Sequence, residues 1–422
     1  MEPIVERCCG LDVHQATVVA CLLVGRPDQK PRKEIRTFPT VTRSLLELRD
    51  WLATQGCTHV GMESTGVYWK PVYALLEGDF ELIVGNAHHI KNVPGRKTDV
   101  KDAEWIADLM RHGLIRKSFV PPKPIRELRD LVRYRRKLVE SRTAERNRLS
   151  KLLETANIKL SSVASDIFGA SGMAMLHALV EGTATAEQMA QLAKRRLRAK
   201  IPQLELALDG RFEEHHRFLL KLQIHRLEQV DADLHQIDER IDQRLEPHQE
   251  QRRRLMKIPG VDRIVAAILI AELGTDMSVF QSAAHLAAWA GVSPGNNESA
   301  GKSKSTETRK GNVHLKTALV EAATSAARKK GSYLKDKFFR LKARRGYKRA
   351  AMAIAHKILK LAHRILSTTE EYQDLGEAYL DQRDERRVAD NLVRRLERLG
   401  YQVQVTPREA PTEVPAMAVP VG

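Results

Sequence analysis

The chain has 422 residues, enough for two or three domains with real cores, and carries a net charge of +17 at a pI near 9.7. That excess points to a polyanionic partner, and the lack of any run of about 18 apolar residues excludes a membrane-spanning helix. Cys8, Cys9, Cys21 and Cys57 show no CxxC spacing and lie in apolar, strand-like contexts. They read as buried thiols of a reducing compartment rather than zinc ligands. With no basic and then apolar leader, the expected location is the cytoplasm.

From the N-terminus, residues 6–24 predict two short β-branched strands joined at His14-Gln15, and residues 33–38 a third. A helix capped by Thr42 or Ser44 follows, with Leu45, Leu48 and Leu52 on one face. Residues 58–62 predict a fourth strand ending in Glu63-Ser64-Thr65-Gly66, then a helix over 67–76 and a fifth strand over 80–84. Thr98 is the expected cap of a helix running to about His112. This βββαβαβα order predicts a mixed sheet with helices packed on it.

Four carboxylates fall at telling places in that order. Asp12 ends the first strand, Glu63 ends the fourth, and Asp99 and Asp102 stand three apart on one helix. Four carboxylates in one pocket repel unless cations neutralise them, and hard oxygen ligands with open positions suit Mg²⁺. A pair of such ions can hold both the attacking and the leaving oxygen of a phosphodiester. The bland alternative makes Asp99 and Asp102 first-turn acids answering the helix dipole and Glu63 a loop acid. Asp12 resists that reading, because an acid inside an apolar strand pattern is costly without a partner.

VPPKPI (residues 120–125) marks a break, after which a long helix runs from Arg126 to about Ala156. Its polar face carries Arg129, Arg133, Arg135, Arg136, Arg142, Arg146 and Arg148, suited to tracking a nucleic-acid backbone or to plain solvation. Residues 157–210 show no regular pattern. From 212 to 246, Leu220, Ile224, Leu227, Val230, Leu234, Ile237, Ile241 and Leu245 recur every three or four residues. This is a coiled-coil seam that predicts helix pairing within or between chains.

Residues 251–370 hold 24 Lys plus Arg against 8 Asp plus Glu, so +16 of the net charge gathers there. The Ile-Pro-Gly-Val turn in KIPGVDRIVAAILIAELG reads either as half of a helix-hairpin-helix or as a plain interhelix turn, with Asp262 where a glycine would be usual. Next comes GVSPGNNESAGKSKSTETRKGNVH, a turn-rich loop with a Glu298-Ser299 pair followed by Lys302, Lys304, Arg309, Lys310 and His314. A loop hydroxyl beside positive charge is what phosphate chemistry by a serine would need, although Gly, Ser and Asn gather in turns for backbone reasons as well. Helices are expected over 283–290, 313–330 and 371–400, with a very basic pair of segments at 335–349 and 350–367, before a Pro-rich tail.

In order along the chain, GLDVHQ, GMESTGVYW and GRKTDVKDAEWIADL resemble the first domain of the insertion-sequence-110 family of DEDD transposases. KIPGVDRIVAAILIAELG, LAAWAGVSPGNNESAGKSKS and KGNVHLKTALVEAA resemble that family's C-terminal domain. The resemblance implies an α/β plus mainly α protein. Residues 1–120 would be an RNase H-like (RuvC-like) domain, 121–250 a helical coiled-coil region, 251–370 a C-terminal helical transposase domain, and 371–422 a charged helix and tail. Asp12, Glu63, Asp99 and Asp102 would bind Mg²⁺, and Ser299 would form a covalent phosphoserine with DNA. Ser303 and Ser305 stand nearby, and the Glu-Ser pair and its distance from Ala290-Gly291 select Ser299. The implied partners are element-end and target DNA, a structured guide RNA, and further copies of the chain in a dimer or tetramer joined through the helical middle. Charge and sequence proximity add Lys302, Arg309, Lys310, Lys316, Arg133 and Arg136 as nucleic-acid contacts. Two other readings are a metal-dependent, Holliday-junction-resolvase-like nuclease with a structural serine, and a non-catalytic nucleic-acid scaffold.

Overall fold

The computed structural model describes residues 4–26, 28–64, 66–93, 102–295, 297–299, 302–305, 307–308 and 310–406, with the backbone alone for 297–299 and 302–305. Two compact units divide the chain between Pro122 and Lys123.

In the first unit β1 (Arg7–Val13), β2 (Thr17–Val24) and β3 (Arg32–Pro39) are followed by α1 (Thr42–Thr54), β4 (His59–Glu63), α2 (Trp69–Leu76), β5 (Glu81–Gly85), α3 (Ala87–Lys91) and α4 (Asp102–Arg111). The sheet order is β3-β2-β1-β4-β5, antiparallel between β1, β2 and β3 and parallel from β1 through β4 to β5. It is consistent with the RNase H-like architecture. The period-2 alternation of the strands sorts the core into two layers. Cys9, Leu11, Val60 and Met62 pack with Leu45, Leu48 and Leu52 of α1 and Val72 and Leu76 of α2. Cys8, Cys21 and Leu23 pack with Ala103, Ile106 and Met110 of α4 on the other face. The cysteines are free and buried, and burial pushes the Cys8 thiol up to about 12 and that of Cys21 to about 11. The first helix begins after Val41, without a side-chain cap, so neither Thr42 nor Ser44 caps it.

Gly10 lets α4 lie directly on β1. A Cβ at Gly10 would overlap the backbone of Ala103 and Ala107, and one at Gly61 would overlap the Met110 side chain. Because Cys8 Sγ contacts Ala107 O while Gly10 lies against Ala103 and Ala107, the helix runs antiparallel to β1 and points its first residue, Asp102, toward the strand end that bears Asp12.

The second unit opens with α5 (Lys123–Thr155). After it come α6 (Leu160–Val163), α7 (Ala170–Glu181), α8 (Ala186–Ala190), a 3-10 turn (Arg195–Lys200), α9 (Ile201–Leu208) and α10 (Glu214–Arg244). The α10 seam from Leu220 to Ile241 is buried. Its main partner is α5 of the same chain, so the pairing that the sequence left open is intramolecular. Ion pairs Glu127–Arg244 (2.8 Å), Arg135–Asp238 (2.5 Å), Arg142–Asp231 (3.2 Å) and Glu145–Arg226 (2.8 Å) run in opposite directions along the two helices and set them antiparallel. Residues 157–210, which showed no pattern, form a helical cap whose core joins Leu149, Leu153, Leu160, Met175, Leu176, Leu204 and Leu220.

The chain continues through α11 (Gln249–Leu255), α12 (Arg263–Leu273), α13 (Ala283–Trp289), the short strands β6 (Asn297–Ser299) and β7 (Lys302–Ser305), α14 (Val313–Ala326), α15 (Tyr333–Arg345), α16 (Tyr347–Ser367), α17 (Tyr379–Gln382) and α18 (Glu385–Arg398). In place of the single charged helix expected over 371–400, residues 371–378 are non-helical and the helices begin at Tyr379. Among the described residues, no helix is long and apolar enough to cross a membrane.

Replacing Gly10 by Val is expected to destabilise the first unit by at least the about 1–3 kcal/mol of core overpacking, since the obstructing atoms are backbone. Urea unfolding monitored at the tryptophans checks this, and a midpoint equal to wild type would contradict the close approach.

Candidate active site

In the first unit the register aligns Leu11 with Met62 across the parallel β1–β4 pair, so Asp12 and Glu63 occupy the next rung on adjacent strands. Adjacent strands lie about 4.8 Å apart. Both residues stand two positions beyond a glycine that faces α4, so both belong to the α4 face at the C-terminal strand ends. Asp12 is 26 % exposed and its Oδ2 lies 3.1 Å from Nε2 of His14. Asp102 is exposed at the start of α4. Asp99 lies outside the described residues. Among the described residues no three potential ligands gather into a metal-binding cluster, so no closed cage surrounds Asp12 or Glu63. The donor chemistry suits a hard divalent cation, because carboxylate oxygens at the C-terminal ends of neighbouring strands leave room for water and phosphate oxygens.

In the second unit the serine segment is a rooted β-hairpin rather than an irregular loop. A Cβ on Gly311 would overlap the backbone of Ala290 and Gly291, so the two roots of the segment touch. Pro294 bridges Thr308, and Gly295 N donates to Glu307 O at 2.9 Å. Beyond this stem β6 pairs antiparallel with β7, and Ser299 is partnered with Lys302 at the last rung.

Beneath the stem lies Glu272, whose side chain is wholly buried on α12. Arg133 donates to it through Nε and Nη2, both at 2.8 Å, and Asn312 Nδ2 donates to Oε2 at 2.6 Å. Arg129 Nε stands 3.4 Å away while donating to the Ala271 and Glu272 carbonyls at the end of α12. Burial raises the Glu272 carboxyl, but hydrogen bonds and the two guanidinium charges outweigh it, and the net shift is downward. Burial also pushes Arg129 down to about 10. Asn312 Oδ1 accepts from Leu315 N and so caps α14, which makes one side chain both the helix cap and the link to Glu272.

Arg133 is therefore engaged inside the protein, and Arg136 contacts Glu140 and Glu321 at 3.4 Å. Lys316 donates to Thr308 Oγ1 at 2.6 Å, bracing the stem, and Lys310 is exposed. Arg309 lies outside the described residues, and Lys302 is placed by its backbone alone. The Ile-Pro-Gly-Val turn resolves as an interhelix turn. Asp262 accepts from Ile264 N and Val265 N, occupying the amides that a helix-hairpin-helix would offer to phosphate. Glu272 and Asn312 do not stand out in the sequence, because an acid within RIVAAILIAEL and a cap before VHLKTAL carry no sign of their meeting.

Residues 9–158 match the IS110-type DEDD family described as transposase, and residues 252–338 match the family described as transposase IS116/IS110/IS902. The chain belongs to this IS110 family of transposases. It is 28 % identical over 284 residues to a protein carrying the name transposase y4pF/y4sB from Sinorhizobium fredii, covering 66 % of this chain and 64 % of that one. It is 25 % identical over 327 residues to the transposase for insertion sequence element IS1111A of Coxiella burnetii, covering 75 % of this chain and 79 % of that one. The chain thus spans slightly under two thirds of the first relative's length. A DEDD domain implies dependence on a divalent metal ion.

Glu272→Ala is expected to cost about 3–5 kcal/mol, because two guanidinium groups lose their buried counter-charge. Asn312→Asp alone should also destabilise by facing a second carboxylate toward Glu272. Combined with Glu272→Gln it restores one negative charge, the hydrogen bond and the cap, so the double variant should recover much of the loss in chemical denaturation. Strict additivity of the two losses would contradict the link.

Burial lowers the pKa of His248, His314, His356 and His363 below the ordinary 6.5; at His314 the Arg133 charge adds to it. A lowered folded-state pKa means the unfolded chain takes up protons first, so stability should fall as pH drops below about 6.5. His314→Gln should flatten that acid limb of the melting temperature, and an unchanged limb would show that His314 takes no part.

Proposed function

We propose that this protein cleaves and rejoins DNA strands in the transposition of an insertion sequence, using two groups carried by its two units. Asp12, Glu63, Asp99 and Asp102 hold Mg²⁺, which when bound supplies Lewis-acid stabilisation of phosphate charge. The side-by-side rung of Asp12 and Glu63, on a sheet that belongs to the family's DEDD segment, carries this reading most directly.

Ser299 is the nucleophile. Its Oγ attacks the phosphorus of a phosphodiester, forming the phosphoserine bond as the bond to the sugar oxygen breaks; the serine proton departs to solvent or a base, and the leaving oxygen gains one. Attack by a strand hydroxyl on the phosphoserine reverses these changes and frees the serine. The clasped stem supports the role by limiting where the hairpin tip can go. Lys302, Arg309, Lys310 and Lys316 stabilise the phosphate charge, while Arg133 and Arg136 are engaged by Glu272, Glu140 and Glu321.

A structured guide RNA pairs with element-end and target DNA, leaving the protein to hold backbones. Copies assemble as a dimer or tetramer through the helical middle. Since the α10 seam is occupied by α5, the contact falls to outward residues such as Phe218 and Leu222, 61 % and 53 % exposed and four residues apart on α10.

Incubating the protein with element-end DNA and guide RNA should yield a covalent protein–DNA adduct on denaturing gels. Ser299→Ala should abolish it and reduce strand exchange by on the order of 1000-fold or more. Cleavage that persists without an adduct favours a metal-dependent nuclease, and full recombination by the Asp12→Asn, Glu63→Gln double variant would sink the carboxylate assignment.

A further inference from the structure

Between the two family-matching segments lies Lys-Arg-Arg-Leu-Arg-Ala-Lys, residues 194–200. Arg195–Lys200 is a 3-10 turn, in which side chains three apart eclipse one another. Leu197 packs down onto the core of the helical cap, while Lys194, Arg195, Arg196, Arg198 and Lys200 are exposed. Lys194, Arg195, Arg196 and Lys200 line an open cleft of about 1080 Å³ whose one lining carboxylate is Asp166. Asp166 Oδ1 already accepts from Phe168 N at 2.9 Å. The run is held in place, since Lys194 N donates to Ser171 Oγ and Lys200 Nζ to Val163 O, both at 2.9 Å.

Two observations separate this cleft from an ordinary solvated surface. Among the described residues Lys194, Arg195 and Arg196 have no ion-pair partner, whereas most arginines of α5 face a carboxylate. Four cations facing one carboxylate in a concavity focus positive potential where an anion would relieve it. Arg195 also has φ 54, in the left-handed region that an arginine rarely adopts.

We propose that this cleft binds the backbone of duplex DNA without reading its sequence, as a site separate from the strand-breaking groups. No aromatic side chain lines it, so it lacks the stacking platform that single strands use. The six-residue turn extends about 12 Å, a length over which a duplex carries about seven phosphate charges. Duplex DNA is the occupant because the chain belongs to a transposase family. The proposal does not depend on Ser299.

The test uses the full chain with Lys194→Gln, Arg195→Asn and Arg196→Gln combined. Asn tolerates the left-handed backbone, so the melting temperature should hold or rise. Binding to a fluorescent duplex of unrelated sequence is measured over a salt series. The slope of log affinity against log salt should become shallower by about 0.9 for each phosphate no longer neutralised, up to about 2.7 for three. Affinity at low salt should drop at least about tenfold. The single variant Arg198→Gln, on the same turn but outside the cleft, should leave the slope nearly unchanged. An unchanged slope in the folded triple variant overturns the proposal, as does an equal loss from Arg198→Gln. Loss of binding confined to a hairpin RNA overturns the choice of DNA. Ser299→Ala should keep the full cleft-dependent slope, so failure of the nucleophile assignment is read separately.

Discussion

A carboxylate with no water around it is the constraint on which the second unit turns. Glu272 sits on a helix whose other residues after Arg263 are apolar, and an isolated charge there would be prohibitive. It is tolerated because Arg133 reaches it bidentately from α5, Asn312 from the head of α14, and Arg129 from one turn earlier on α5. Three segments far apart in sequence must arrive together for the charge to be satisfied. The foot of the serine hairpin is therefore tied to the long helix of the same unit. A buried pair of this kind adds little net stability over an apolar substitute, but it penalises every arrangement in which one partner is missing.

Internal pairing also changes what the basic composition means. Arginine forks are used repeatedly to satisfy the carbonyls at helix ends: Arg129 at the end of α12, and Arg254, donating to Ile365 O and Thr368 O, at the end of α16. Arg252 and Arg263 both reach Asp242, and Arg253 pairs with Glu250 and Glu371. These pairs leave the net excess of +17 unchanged, because their acids are already subtracted in it, but they identify which arginines are engaged inside. What remains for nucleic acid is the charge without an acid beside it, and its location follows from packing.

In the first unit two absent side chains place the carboxylates. Gly10 and Gly61 face the same helix, and their lack of Cβ lets α4 close onto the sheet. Two residues on, the pleat brings Asp12 and Glu63 to the same face on neighbouring strands. The strands and the acids at their ends were legible in the sequence, because period-2 alternation is a local signal; the glycine seats for α4 were not. The seam of α10 was legible for the same reason. Its partner was not, since a stripe of Leu and Ile suits any apolar surface. The helical cap over 157–210 went unseen because α7, ASGMAMLHALVE, is apolar on most of its circumference and so lacks the contrast that marks a helix at a surface. The strands β6 and β7 were hidden too: Asn, Ser and Lys are weak strand formers, and the clasp of Gly311 on Gly291 supplies the pairing that propensity does not.

By itself the sequence determined the alternation of strands and helices in the first unit, the long helices of the second, and the family. These are readable because period, turn chemistry and motif spacing are written in neighbouring residues. Only the tertiary structure decided which arginines are engaged by internal acids, that Asp262 caps a helix instead of opening its amides to phosphate, and that α10 pairs within its own chain. It also decided that Ser299 stands on a clasped hairpin. Each of these depends on where a distant segment comes to rest, because a charge or an apolar stripe has no fixed meaning until its partner is in place.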